Sequence, residues 1–144
     1  KIPVKKYCTN EALNLILSSY LEKASEQGIQ TTVSVTATDF SRFQIPDLCS
    51  LLANALENAI HACEDIANPN TRYIRLKIYE KNHQLCINMA NSYGKEPVFE
   101  NDIPVSHRAG HGIGVQSMIS VIEKYHGIYG FFASTGEFRF QTTL

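Results

Sequence analysis

No run of basic residues, no C-x-x-C pair and no apolar stretch near the ~20 residues that span a bilayer occurs in this 144-residue chain. Each absence excludes something. With a net charge of −1 and no basic cluster, nothing electrostatic points to nucleic acid or to an anionic membrane surface. Cys8, Cys49, Cys63 and Cys86 are scattered, which argues against a zinc site. A domain of this size has no need of disulfide staples, so the four read as reduced thiols in a cytosol, with a redox switch as the alternative. No signal peptide opens the chain. It starts at Lys1 without an initiator Met, so a piece of a longer protein is expected. What is present is ordinary for one globular domain: 44 % apolar and 19 % charged residues, enough for a sizeable core.

Periodicity divides the chain into elements. Thr9 is placed to cap a helix from Asn10 to Gln27, with Leu13, Ile16, Leu17, Tyr20, Leu21 and Ala24 on one face and Gly28 as its stop. Gln30 to Thr36 alternates as a strand, and Phe43 to Ile45 is expected to add a short second one. Pro46 suits the first turn of a helix reaching about Ala67, and Asp47 suits its positive end. Thr71 to Lys81 and Leu85 to Ala90 alternate as a hairpin with one polar face. Asn91 to Gly110 has no period; a stretch that long inside a compact domain reads as a functional lid, assigned to 92–109. His111 opens a further helix that Gly127 ends, and Ile128 to Ser134 with Glu137 to Thr143 closes the chain as a hairpin. This order predicts an α/β two-layer sandwich, with helices on one face of a mixed, mainly antiparallel sheet. Helices and strands do not alternate regularly, which excludes a doubly wound Rossmann sheet.

Two stretches carry the chemistry. In Leu51 to Glu64, Asn54, Asn58 and His61 fall at i, i+4 and i+7, so they share a helix face. The opposite face carries Leu48, Leu51, Leu52, Ala55, Leu56 and Ala59. A solvated helix face gives the same pattern. Downstream, Gly110, His111, Gly112, Ile113 and Gly114 form a G-x-G-x-G run leading into a helix. Glycines there let backbone N–H groups approach an anion, and a helix N-terminus favours one, although such runs also make plain loop-to-helix turns. No Lys-Ser/Thr follows, so this is not a Walker A loop.

Together, an asparagine-bearing helix, a strand ending in Asn91, a lid and a glycine run opening a helix resemble the ATP-binding domains shared by sensor histidine kinases, DNA gyrase and MutL. LLANALENAIHAC resembles their N-box and HRAGHGIGVQSM their second glycine box. The tail KYHGIYGFFAS…EFRFQTTL is similar to the end of the kinase domain, and YCTNEALNLILSSYLEKASEQGI to its start in peptide-sensing kinases of the AgrC type. The resemblance implies the Bergerat-type ATP-binding fold over residues 9–144, with 1–8 the end of a linker.

It also implies roles. Asn58 matches the asparagine whose amide oxygen helps hold Mg²⁺; one protein oxygen suffices, because Mg²⁺ keeps waters and binds mainly through phosphates. At Asn54 the hydrolytic relatives carry a glutamate base. An amide cannot take a proton at neutral pH, so Asn54 can orient groups but cannot activate water. Glu57 points about 60° away from Asn54 around the helix and is not promoted to base. Asn91 stands where typical kinases place the aspartate that accepts from the adenine amino group; its carbonyl can accept without charge assistance. His61 falls where many kinases set a basic residue near the phosphates, and an exposed helix histidine is the alternative. Gly110, His111, Gly112, Ile113 and Gly114 would cradle phosphate, and Lys95 and Arg108 in the lid could touch it or simply be surface charges.

The resemblance thus implies the catalytic domain of a cytoplasmic two-component histidine kinase using ATP and Mg²⁺. An ATPase clamp, or a degenerate partner-binding domain, is the rival. The family's acceptor histidine is followed by an acidic residue, which none of the five histidines here is. The acceptor is therefore expected upstream of Lys1, on dimerising helices of the same protein, with a response regulator as the further partner. Neither nucleic acid nor direct membrane contact is expected of this segment.

Overall fold

In the computed structural model, which describes residues 5–105 and 113–144, Asn10 rather than Thr9 caps helix α1 (Glu11–Glu26). Asn10 lies in extended backbone, so its Oδ1 reaches over the first turn and accepts from the Leu13 N–H at 3.1 Å. Gly28, at φ 71°, ends the helix as expected. The Ile29 N–H then bonds the Ala24 carbonyl and the Gly28 N–H that of Ser25, the paired bonds of a Schellman turn.

Strand β1 (Gln30–Val35) follows, but Phe43 to Ile45 makes no strand. The Phe43 N–H turns back to the Phe40 carbonyl, and Ile45 already begins helix α2 (Ile45–Glu64). Pro46 occupies the first turn, where its missing N–H costs nothing. The helix stops at Glu64, short of Ala67: the Gly94 N–H takes the Ala62 carbonyl, and the Ile66 N–H turns instead to that of Cys63. A short 3₁₀ turn (Pro69–Thr71) leads to β2 (Tyr73–Lys81) and β3 (Gln84–Ser92).

The segment expected to lack structure contains a small hairpin, β4 (Val98–Glu100) and β5 (Ile103–Val105). Its turn residues Asn101 and Asp102 both take positive φ, 51° and 63°, which short polar side chains tolerate. Helix α3 (Ile113–Lys124) precedes the closing hairpin β6 (Ile128–Ser134) and β7 (Glu137–Thr143).

Five strands form one sheet in the order β1-β2-β3-β7-β6, with only the β1–β2 pair parallel. Register puts Leu76 beside Met89, Met89 beside Phe140 and Phe140 beside Phe131, a row that alternation turns to one face. The helices cover that face. Arg75, Lys77, Arg139 and Gln141 point the other way and are exposed. This is the mixed two-layer sandwich that the element order predicts.

Helix α2 is central and packs against both α1 and α3. Its stripe Leu48, Leu51, Leu52, Ala55, Leu56 and Ala59 is buried throughout, each leucine contributing roughly 1.5–3 kcal/mol of transfer free energy. Its start is tied to the end of α3: Lys124 Nζ and the Tyr125 hydroxyl both donate to Asp47 Oδ2. Those bonds, Lys124 first, hold the Asp47 carboxyl below its usual range. The four cysteines are free thiols, as expected. Among the described residues no helix is long and apolar enough to cross a membrane.

Candidate functional site

Alanines open the cleft. On α2, Ala55, Ala59 and Ala62 fall at i, i+4 and i+7 toward the sheet, and their small side chains leave a gap that leucines would fill. The resulting cavity, about 220 Å³, lies between α2, α3, the β3–β7–β6 floor and the lid hairpin. Met89, Phe131, Phe138 and Phe140 make its floor. Phe131 stacks with Phe140 at 5.2 Å between ring centroids, and Phe99 of β4 stacks on Phe138 at 6.2 Å, tying the lid hairpin to the sheet. The periodic pattern of the closing hairpin contained this aromatic row. Nothing in it said that the row would face a cavity rather than a helix.

Asn91 lines the cleft and is 3 % exposed. Its Nδ2 donates to the Ser92 carbonyl at 3.0 Å, and among the described residues nothing donates to its Oδ1. Ser92, which the sequence did not single out, is itself anchored. Its Oγ accepts from the Tyr73 N–H at 2.9 Å, and the Cys63 Sγ of α2 lies 3.5 Å from its carbonyl oxygen. Burial pushes the Cys63 thiol up, which keeps it protonated and a donor.

Asn58 and His61 also line the cleft, whereas Asn54 does not. Asn54 is turned toward the start of α3 instead. Its Nδ2 donates to the Ser50 carbonyl one turn back, at 2.9 Å, leaving Oδ1 directed at Gly114. A Cβ on Gly114 would lie 3.1 Å from Asn54 Oδ1 and 3.7 Å from Asn58 Oδ1. The Asn58 Nδ2 rests 3.9 Å from Met118 Sδ. Two amide oxygens therefore converge on the first turn of α3, and the glycine there is what allows the approach.

His61 is half-buried, with Nδ1 3.3 Å from Glu64 and Nε2 3.7 Å from Glu57. Glu57 in turn accepts from the Tyr20 hydroxyl at 3.1 Å, so it faces α1 and not Asn54. Lys95 lines the cleft from the lid. Arg108, Gly110, His111 and Gly112 lie outside the described residues, and Ile113 is described only as the first residue of α3. Among the described residues no group of three or more His, Cys, Asp or Glu is placed to hold a metal ion.

This cleft, walled by an amide-bearing helix and bordered by the β4–β5 hairpin, sits on a chain whose residues 43–144 match the GHKL domain family. The chain belongs to that family. As a GHKL domain it is similar to the nucleotide-free catalytic domain of the histidine kinase ThkA, at 17 % identity and a TM-score of 0.71 over 99 % of this chain and 95 % of that one. It is likewise similar to the histidine kinase AdeS of Acinetobacter baumannii (10 %, TM-score 0.67, 100 % and 68 %). The histidine kinase domain of the blue-light activated kinase of Erythrobacter litoralis EL346 matches at 8 %, with a TM-score of 0.70 over 100 % and 64 %. No curated protein matches the chain. At these identities the structural likenesses establish the fold, and they extend it to α1 and β1, which the family match leaves out.

Proposed function

We propose that this GHKL domain binds Mg-ATP and donates the γ-phosphate to a histidine outside the chain, as the catalytic domain of a two-component sensor histidine kinase in the cytoplasm. The observation that carries the reading is the convergence of the Asn54 and Asn58 oxygens on the start of α3, at the mouth of a cleft with a buried acceptor, Asn91, at its inner end. Helix N-termini favour phosphate, and amide oxygens are suitable hard ligands for the cation that accompanies it.

In this reading the aromatic floor and Met89 receive the base, and Asn91 Oδ1 accepts from its amino group. Asn58 Oδ1 is the protein ligand of Mg²⁺, whose part is to neutralise charge on the phosphates. A lone protein oxygen is adequate for an ion held mainly through phosphate and water. Asn54, locked by Ser50, orients the region between the metal and the helix. The run Gly110, His111, Gly112, Ile113 and Gly114 supplies backbone donors to the phosphates, with His61, Lys95 and Arg108 as the nearby basic side chains. Neither candidate on the central helix serves as a base: Asn54 cannot take a proton, and Glu57 is engaged with Tyr20. Hydrolysis is therefore slow, and the phosphoryl group is kept for an imidazole presented by dimerising helices of the same protein and then for a response regulator. Catalysis rests on positioning and charge neutralisation.

The test is calorimetric titration with ADP, with and without Mg²⁺, on the domain and on Asn58→Ala. Magnesium-dependent binding that the substitution abolishes is the expected result. Absence of binding at millimolar nucleotide, in this segment and in a longer protein that includes the preceding helices, would refute the proposal.

A further inference from the structure

The sheet has a second face, turned away from the helices. Register sets its outward residues in rows. Arg75, Ala90 and Arg139 lie side by side across β2, β3 and β7, and Lys77, Asn88 and Gln141 form the next row. Ala90 and Asn88 are shorter than their exposed neighbours on β2 and β7, so the middle strand becomes the floor of a groove. The groove belongs to a cavity of about 300 Å³ whose lining reaches Thr32 and Ser34 of β1. That lining carries three cations and, among the described residues, no carboxylate, in a chain whose net charge is −1.

The cations are held in place by aromatic rings. Arg75 lies over Tyr73 at 4.7 Å and also bonds Glu137, Lys77 lies over Tyr79 at 5.1 Å, and Arg139 lies over Phe132 at 5.6 Å. Resting on a ring keeps each long side chain along the face, which reduces the entropy lost when an anion binds. Among the described residues, Lys77 and Arg139 form no ion pair, so their charge is available to a ligand. Shape then narrows the occupant. Strands β2 and β7 stand two strand spacings apart, about 10 Å, and their side chains narrow the gap further; a helix, about 10–12 Å across, does not enter. An extended chain does. Every second side chain along it faces the floor at intervals of about 7 Å, the spacing between the two rows. A polynucleotide suits the face poorly, because the three rings on which bases would stack are already covered by cations.

We infer that this groove docks an extended acidic segment of a partner protein, whose carboxylates at alternate positions meet Arg75, Lys77 and Arg139. The Asn88 and Gln141 amides at the groove's second row supply donors and acceptors to the same segment. The cleft proposed for nucleotide lies on the opposite face of the sheet, so this inference goes beyond that reading and does not depend on it.

The experiment follows the backbone amide signals of the wild-type domain by NMR during titration with a short synthetic peptide that alternates glutamate and serine. Two control peptides accompany it: one of the same composition with its glutamates in adjacent pairs, and one with glutamine in place of glutamate. Shifts centred on Ala90 and Asn88 and their neighbours on β2 and β7 are expected with the alternating peptide, weakening as salt rises. The paired isomer should bind more weakly and the glutamine peptide not at all. Replacing both Lys77 and Arg139 by glutamine should weaken the alternating peptide by about 3- to 30-fold, the range for two exposed charge pairs, with thermal unfolding as the check that the variant is folded. Equal binding of the two acidic isomers would mean that bulk charge alone is read, and would overturn the inference. So would shifts that avoid this face, or tighter binding there by single-stranded DNA than by the peptide. Self-association of the free domain that the double substitution abolishes would give the groove to a second copy and overturn it as well. The wild-type comparison requires no substitution, so a folding defect in the variant cannot mask the answer.

Discussion

Replacing Gly114 by alanine should separate the stability of this domain from its affinity for nucleotide. Gly114 is the second residue of α3, where alanine is the better residue by up to about 1 kcal/mol. Against that gain, the new Cβ would stand 3.1 Å from Asn54 Oδ1. The contact is tight enough that the side chain must give by a few tenths of an ångström. Asn54 can yield only by straining the 2.9 Å bond from its Nδ2 to the Ser50 carbonyl, a bond worth about 1 kcal/mol net. The two effects nearly cancel, so the melting temperature of the free domain should move by no more than about 4 °C in either direction. Nucleotide binding has no compensating gain. The methyl group occupies the space onto which both amide oxygens open and lies 3.7 Å from Asn58 Oδ1, the proposed magnesium ligand. Affinity for ADP in magnesium should fall at least tenfold, about 1.4 kcal/mol. Thermal unfolding without ligand and calorimetric titration with it measure the two quantities on one sample. A variant that melts like wild type and also binds like wild type would refute the role given to the convergent oxygens.

Gly94→Ala should be worse for the fold, since its Cβ would fall 2.3 Å from the Asp65 carbonyl oxygen, a backbone atom that cannot rotate away. A loss of about 1–3 kcal/mol in urea unfolding is expected, and an unchanged midpoint would contradict the packing of the lid's root on α2. Phe99→Ala removes the ring that ties the lid hairpin to Phe138, a contact worth about 0.5–1.5 kcal/mol. It should speed limited proteolysis within the lid while barely shifting the global melting temperature, whereas equal protease resistance would mean the hairpin is held by something else. Hydrogen bonds lower the carboxyls of Asp47, from Lys124 and then Tyr125, and of Glu137, from Tyr73 and then Arg75. Their folded values lie below the ordinary 3.8 and 4.5, so the unfolded chain takes up protons first and stability falls as pH drops through and below that window. Urea midpoints between pH 7 and 3 measure the fall, and Glu137→Gln should make it shallower; an identical slope would count against that cause.

Much of the architecture was legible because its causes are local. Alternation in Ile128–Ser134 and Glu137–Thr143 sets the closing hairpin to the residue, and the leucine stripe of α2 marks its buried face. The misreadings occurred where a distant group intervened. Phe43 alternates like a strand residue, yet its ring is held edge-on against Tyr125 of the α3 end, 5.0 Å away, and the chain there turns into a helix. Helix α2 stops before its sequence pattern does because the Gly94 N–H, some thirty positions on, takes the Ala62 carbonyl that the Ile66 N–H would need. The lid hairpin did carry a local signal, Asn101-Asp102, but its strands are only three residues each, too short for alternation to register.

The candidate site divides in the same way. Sequence alone determined that Asn54, Asn58 and His61 share a helix face and that a glycine run precedes α3, because helical geometry follows from spacing. It could not decide which amide oxygen points where. That depends on the Ser50 carbonyl turning Asn54 toward Gly114, on Met118, 60 positions from Asn58, and on the Ser92 carbonyl beneath Asn91. Residue types and their spacing set the menu of donors and acceptors. Only the packing of α2 against α3 and the sheet selected the atoms that are left to meet a ligand, since a hydrogen bond already made within the protein removes one end of each amide from the choice.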